Sequence, residues 1–308
     1  MSDTRKGVDA QAGGIMLLLC IIWGIQQVAI KGVAAEISPV LQIAIRSGLS
    51  AVLVWILMQI KRQSLRDARP FIRPGIMVGI LFALEFLFVA EGLHYTSASH
   101  MAVFLYTAPA FAAMGLQLFN PDERLALPQW GGILLAFAGI TVAFLSGHAG
   151  GANSLKNMLI GDAMGLMAGI SWGATTVVVR CSSLKNAPTT YTLLYQLAGA
   201  CLLLSAFSLI SGQHHFAPQS LGIVSLVFQI LVVGFASFLI WFSLMKTYLA
   251  SQLGVLSFMT PVFGVLAGVL ILHEKVQPGF VWGTLLIIAG IIIVSGYSWI
   301  KAKYAASL

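Results

Sequence analysis

Arg46 and Glu85 stand well inside long apolar stretches of this 308-residue chain. Counted from the nearer ends of those stretches, each lies roughly 12 to 14 Å deep at about 1.5 Å of helix rise per residue. A charge in apolar surroundings is expensive unless paired, and ionisable residues at such depth are functional candidates by default. Equal depth makes the two candidate partners. One chemistry is a permanent ion pair joining the stretches. The other is a site where Glu85 meets an ammonium group or a proton while Arg46 tunes it.

Two polar pairs raise a similar question. Gln26 and Gln27 interrupt the run IIWGIQQVAIK, and Thr175 and Thr176 interrupt ISWGATTVVVR. Neighbouring residues point 100° apart on a helix, so each pair aims one member at a cavity and the other at an adjoining helix. Bonding between helices, worth about 0.6 kcal/mol per bond, is the competing explanation. Gly169 to Gly173 also matches the G-x-S-x-G pattern around a nucleophilic serine, here Ser171. That chemistry needs a strand-to-helix turn and a nearby base, whereas the six histidines fall at the ends of apolar runs or between them. His273-Glu274 lacks the second histidine of a zinc-protease helix. No phosphate-binding G-x-x-x-x-G-K-[ST] run occurs. An enzyme is not expected, nor any metal or cofactor.

These residues are carried by a membrane-embedded scaffold. Hydrophobic residues make up 58% of the chain and charged residues 9%, against about 25% charged in soluble domains; mean hydropathy is +0.92. Runs long enough for a ~30 Å hydrocarbon core give ten expected spans at 13–33, 38–60, 73–94, 97–119, 127–146, 158–180, 188–210, 221–245, 250–271 and 278–299. Thirteen of the seventeen basic residues fall on the side that holds the N-terminus, against three on the other. The positive-inside rule then places both termini in the cytoplasm. A net charge of +7 reads here as orientation, not as nucleic-acid binding. Cys20, Cys181 and Cys201 have no metal-site spacing and read as small packing residues.

The second half repeats the first. An offset of 149 brings Trp23, Gly24, Lys31 and Pro39 onto Trp172, Gly173, Arg180 and Pro188. Near 151, Pro109, Glu123-Arg124 and Ala138-Gly139-Ile140 meet Pro261, Glu274-Lys275 and Ala289-Gly290-Ile291. Five spans per half is odd, so the halves enter the membrane from opposite sides, the architecture of many secondary transporters. The expected divisions are a tail at 1–12, repeats at 13–148 and 158–299, a linker at 149–157 and a tail at 300–308. The fold class is all-α, ten transmembrane helices in two inverted five-helix repeats around a central cavity.

Within that frame Pro109 and Pro261 break the fourth and ninth spans, freeing the carbonyls of Leu105 and Ser257. Tyr106, Thr107, Ser257 and Thr260 stand ready to satisfy them or to meet cargo. Trp241, between Ser237 and Ser243, is the aromatic residue expected at the cavity wall. Gly161, Gly165, Gly169 and Gly173 form a smooth strip for close helix approach, by sliding or static packing alike.

With ten spans, a Trp-Gly pair opening each half and the Glu-Arg-Leu and Glu-Lys-Val ends of the fourth and ninth, the chain resembles the EamA-type drug/metabolite transporters. It is similar, within them, to bacterial exporters of amino acids and related metabolites, including the aromatic amino-acid and paraquat exporter group. The resemblance implies export of small organic solutes by alternating access across the bacterial cytoplasmic (inner) membrane. The partners it implies are a small-molecule substrate and the lipid bilayer, for a chain expected to act as a monomer. Coupling is open between a proton on Glu85 and the cargo's own gradient. A passive channel is the alternative, with an intramembrane serine protease far behind.

Overall fold

The computed structural model describes residues 9–119, 126–145, 152–248, 253, 256–257 and 259–305. Its helices are α1 (Ala10–Gly32), α2 (Pro39–Ile60), α3 (Ile72–Gly92), α4 (Ala98–Leu105), α5 (Ala108–Phe119), α6 (Leu127–Leu145), α7 (Ala152–Cys181) and α8 (Thr189–Ile210). Beyond these come α9 (Ser220–Val227), a π-helical segment (Phe228–Ser237), α10 (Phe238–Thr247), α11 (Met259–Leu272) and α12 (Pro278–Ala305). The expected motif residues Glu123 and Arg124, the tail residues 1–8 and 306–308, and linker residues 149–151 lie outside the described residues.

Among the described residues, seven apolar runs are long enough to cross a bilayer, with α4 and α5 counted together as one. Leu127–Val142, Met259–Leu272 and Pro278–Gly290 are shorter apolar helices. The outward faces are oily: Ile210 and Leu127 are each 87% exposed and Leu202 71%. Such a surface is unfavourable in water and at home against lipid tails. The protein is a multi-pass, all-helical membrane protein.

Prolines mark the helix starts. Pro39 and Pro278 open α2 and α12, and Pro128 and Pro109 stand second in α6 and α5. A residue lacking an N–H is harmless there, because first-turn amides have no partner within the helix. Pro109 was expected inside a kinked span. Instead the chain leaves helical geometry at Tyr106–Thr107 and restarts as α5. The Thr107 hydroxyl and amide both donate to the Phe104 carbonyl, at 2.6 and 3.2 Å, so the break is satisfied one residue earlier than the expected Leu105. Pro261 sits in the first turn of α11, with Leu256 and Ser257 helical ahead of it.

The packing partners come in exchangeable sets. α6 packs on α12, α2 on α8, and α4 on α11. α1 packs on α11 as α7 packs on α4 and α5, and α3 packs on α7 and α8 as the π segment packs on α1 and α2. Numbering the helices from the start of each half turns one set into the other. The glycine strip of α7 lies along the broken span: a Cβ on Gly169 would stand 2.7 Å from Thr107 Oγ1 and 3.0 Å from the Leu105 and Phe104 carbonyl oxygens. Only a glycine permits that approach.

Candidate functional site

Aromatic rings and two charges converge where α1, α2, α3 and the π segment meet. The Trp23 indole N–H donates to Ser237 Oγ at 2.9 Å, and that hydroxyl donates to the Val233 carbonyl at 2.7 Å. The Trp23 ring stands edge-on to Trp241, centroids 5.5 Å apart, and tilted against Phe238 at 6.3 Å. Phe238 meets Phe82 at 5.7 Å, and Phe82 meets Phe86 at 4.8 Å. At the end of this chain of rings the Arg46 guanidinium carbon lies 4.3 Å from the Phe86 centroid. A cation held over a ring away from water gains about 2 kcal/mol.

Arg46 is 0% exposed and Glu85 5%. Its stem runs past the π segment at Gly234, where a Cβ would come within 3.3 Å of Arg46 Cγ. The two opposite charges act on each other through space, yet Nε, Nη1 and Nη2 of Arg46 and Oε2 of Glu85 have no hydrogen-bond partner. The expected pair is thus not a hydrogen-bonded bridge, because the guanidinium is drawn onto Phe86.

Tyr106, from the break between α4 and α5, is buried with its ring edge-on to Trp172 at 5.0 Å. Its phenol neighbours Thr260 and Cys20 and senses the Glu85 charge. Cys20 donates to the Leu256 carbonyl at 3.4 Å, and the fully buried Thr260 hydroxyl has no hydrogen-bond partner. Of the expected residues, the structure therefore gathers Arg46, Glu85, Tyr106, Thr260 and Trp241. It adds Trp23, Ser237, Cys20 and the phenylalanines.

The remaining candidates behave differently. Gln26 donates to Gln27 at 3.1 Å, both buried, so one bond joins the two glutamines to each other. Thr175 and Thr176 donate to the Ser171 and Trp172 carbonyls of their own helix, at 3.0 and 3.2 Å. Thr107 faces Gly169, and Ser257 is buried. Ser243 is exposed and donates to the Leu239 carbonyl, so it does not flank Trp241 in the interior. Ser171 is likewise bonded within α7, to the Met167 carbonyl at 2.9 Å, far from elbow geometry.

A second polar cluster, not expected from the sequence, ties the end of α1 to α4, α7 and the α11–α12 connection. Lys31 Nζ donates to the Thr96 carbonyl at 2.5 Å and stands 3.8 Å from the Glu274 carboxylate. Glu274 accepts from the Ala98 and Ser99 amides, at 2.7 and 3.0 Å, and from the Ser99 hydroxyl at 2.6 Å. The fully buried Asp162 accepts from Thr96 at 2.5 Å and contacts His100 Nδ1 at 2.9 Å. His100 is stacked on Phe280 at 3.9 Å. Lys31 and Glu274 were read as markers of the repeat; their meeting across the halves was the overlooked signal.

The EamA-like transporter family model matches the chain twice, over residues 12–145 and 159–296. The chain belongs to the EamA-like transporter family. It is 25% identical over 308 residues to a probable amino-acid metabolite efflux pump of Escherichia coli K12, covering 96% of this chain and 98% of that one. It is also 25% identical over 281 residues to the uncharacterized transporter YoaV of Bacillus subtilis 168, covering 90% and 94%. A solved structure described only as the crystal structure of a protein superposes with a TM-score of 0.67 at 20% identity, over 93% of this chain and 98% of that one; it shares the fold. Family membership makes this EamA-like protein a membrane transporter and not an enzyme.

Proposed function

We propose that the protein is a secondary transporter that exports small organic solutes, amino acids and related metabolites or amphipathic drugs, by alternating access. The observation that carries this reading is the enclosed meeting of Arg46, Glu85 and the Trp23–Trp241 aromatic cluster, formed by helices of both halves. Buried charges whose polar atoms are left without hydrogen-bond partners inside a membrane protein are candidates to meet something that arrives there. The exchangeable packing sets and the twofold family match support ten spans in two inverted repeats, 13–148 and 158–299, rocking about that centre. Export of amino-acid-like cargo draws on the name of the Escherichia coli relative, a probable amino-acid metabolite efflux pump. The lysine and arginine distribution supports placing both termini in the cytoplasm, and the bacterial inner membrane is part of the same reading.

Counterflow in liposomes tests it. Purified protein should accumulate labelled phenylalanine or threonine against an excess of the unlabelled compound, saturably. Gradient-driven flux without counterflow would replace the carrier with a channel.

A further inference from the structure

We propose that Arg46 and Glu85 form a two-ended clamp for the head group of a zwitterion, the Arg46 guanidinium taking a carboxylate and the Glu85 carboxylate an ammonium group. This rests on the transporter reading and names the chemistry its central site selects.

The charges are opposite in sign, buried, and within electrostatic reach of each other, yet not bonded together. A guanidinium and a carboxylate on adjoining helices that served only to fasten α2 to α3 would close into a direct, commonly bidentate pair. Here the guanidinium face is spent on Phe86 at 4.3 Å, while all three nitrogens keep their hydrogens unclaimed. Those hydrogens lie in the guanidinium plane, the direction from which a carboxylate is bound by a fork of two N–H groups. Glu85 Oε2 is unclaimed as well. An α-amino acid carries one carboxylate and one ammonium a single carbon apart, so one molecule answers both ends. It neutralises each buried charge where a simple amine or acid would neutralise only one. The ring series from Phe86 through Phe82 and Phe238 to Trp23 receives an apolar side chain beyond the head group. Leucine and phenylalanine fit this description; sugars and simple organic cations do not.

The test uses a ligand series on the full-length protein, with L-phenylalanine, its methyl ester, which lacks the carboxylate, and N-acetylphenylalanine, which lacks the ammonium. Each competes against labelled phenylalanine in counterflow. Removing one charge-assisted hydrogen-bonded end should weaken competition on the order of 10- to 100-fold. Arg46→Gln should weaken phenylalanine more than its ester and so abolish the preference between them, and Glu85→Gln should do so for phenylalanine and the N-acetyl compound. A merely structural pair would lower all three ligands together. If either variant fails to fold, the wild-type series still decides. Equal competition by all three compounds in a working carrier overturns the clamp and leaves the transporter reading intact. An absence of counterflow for every amino acid overturns both.

Discussion

The Trp23 indole and the Ser237 hydroxyl join the first helix of one half to the π segment of the other through a single 2.9 Å bond. Because Ser237 also donates to Val233, it acts as the hinge pin between the aromatic cluster and the backbone of the widened helix. Trp23→Phe keeps most of the ring contacts and should lower stability by about 1 kcal/mol, with Ser237→Ala close behind. The double variant should fall short of the sum, since both remove the same bond. Thermal unfolding in detergent reads the difference. Additive losses would mean the bond contributes nothing.

The threonines and glutamines, equivalent by repeat position, should part company in transport assays. Thr175→Val and Thr176→Val remove hydroxyls bonded only to their own helix, so transport rates and apparent affinity should stay within about twofold of wild type. Gln26→Leu leaves the buried Gln27 amide oxygen without its donor and should destabilise by about 1 to 3 kcal/mol. A valine variant that loses transport while staying folded would return the threonines to the site.

Glu274 bonds the first amides of α4 from the other half of the chain. In Glu274→Ala the Ala98 and Ser99 amides should exchange hydrogen faster, while amides in the middle of α2 keep their protection. Asp162→Ala should cost about 1 to 3 kcal/mol, because His100 and Thr96 lose their acceptor inside the protein. Hydrogen exchange by mass spectrometry and detergent unfolding check the two expectations.

Two glycines offer an internal control. Gly169→Ala sets a methyl 2.7 Å from Thr107 Oγ1 and 3.0 Å from two carbonyl oxygens, and should destabilise by about 1 to 3 kcal/mol. Gly131, in α6, has nothing within 4 Å of its absent Cβ, so Gly131→Ala should be neutral or stabilising by up to about 1 kcal/mol. Equal melting temperatures for the two variants would show that the strip tolerates separation from α4 and α5.

Much of the site was legible because a charge in an apolar run announces itself. Arg46 and Glu85 stood out for that reason, as did the prolines near the helix restart. Their arrangement was not legible: that Arg46 would lie on Phe86 instead of bonding Glu85 depends on side-chain direction across two helices. The glutamine and threonine pairs share register but not reach. A threonine hydroxyl is short enough to bond the carbonyl four residues back, whereas a glutamine amide extends past its own backbone. Trp23 was visible only as a repeat marker, since its partner lies 214 residues away. Asp162 escaped notice because it sits a few residues from the expected start of its span, where an acid ordinarily meets water; the structure buries it completely.

The ten residues Phe228–Ser237 form their hydrogen bonds one residue farther along than an α-helix does. Each π turn therefore holds more residues, and the stretch completes less rotation than its length implies. Everything after it is out of phase with a helical wheel drawn from α9. That phase lag turns Phe238 and Trp241 toward Trp23, on a helix whose regular continuation would present other residues there. The segment holds slack: it spends more residues than a regular helix would over the same rotation, so losing one within it would let the backbone close into an ordinary α-helix with the aromatic wall kept near the charges it now completes.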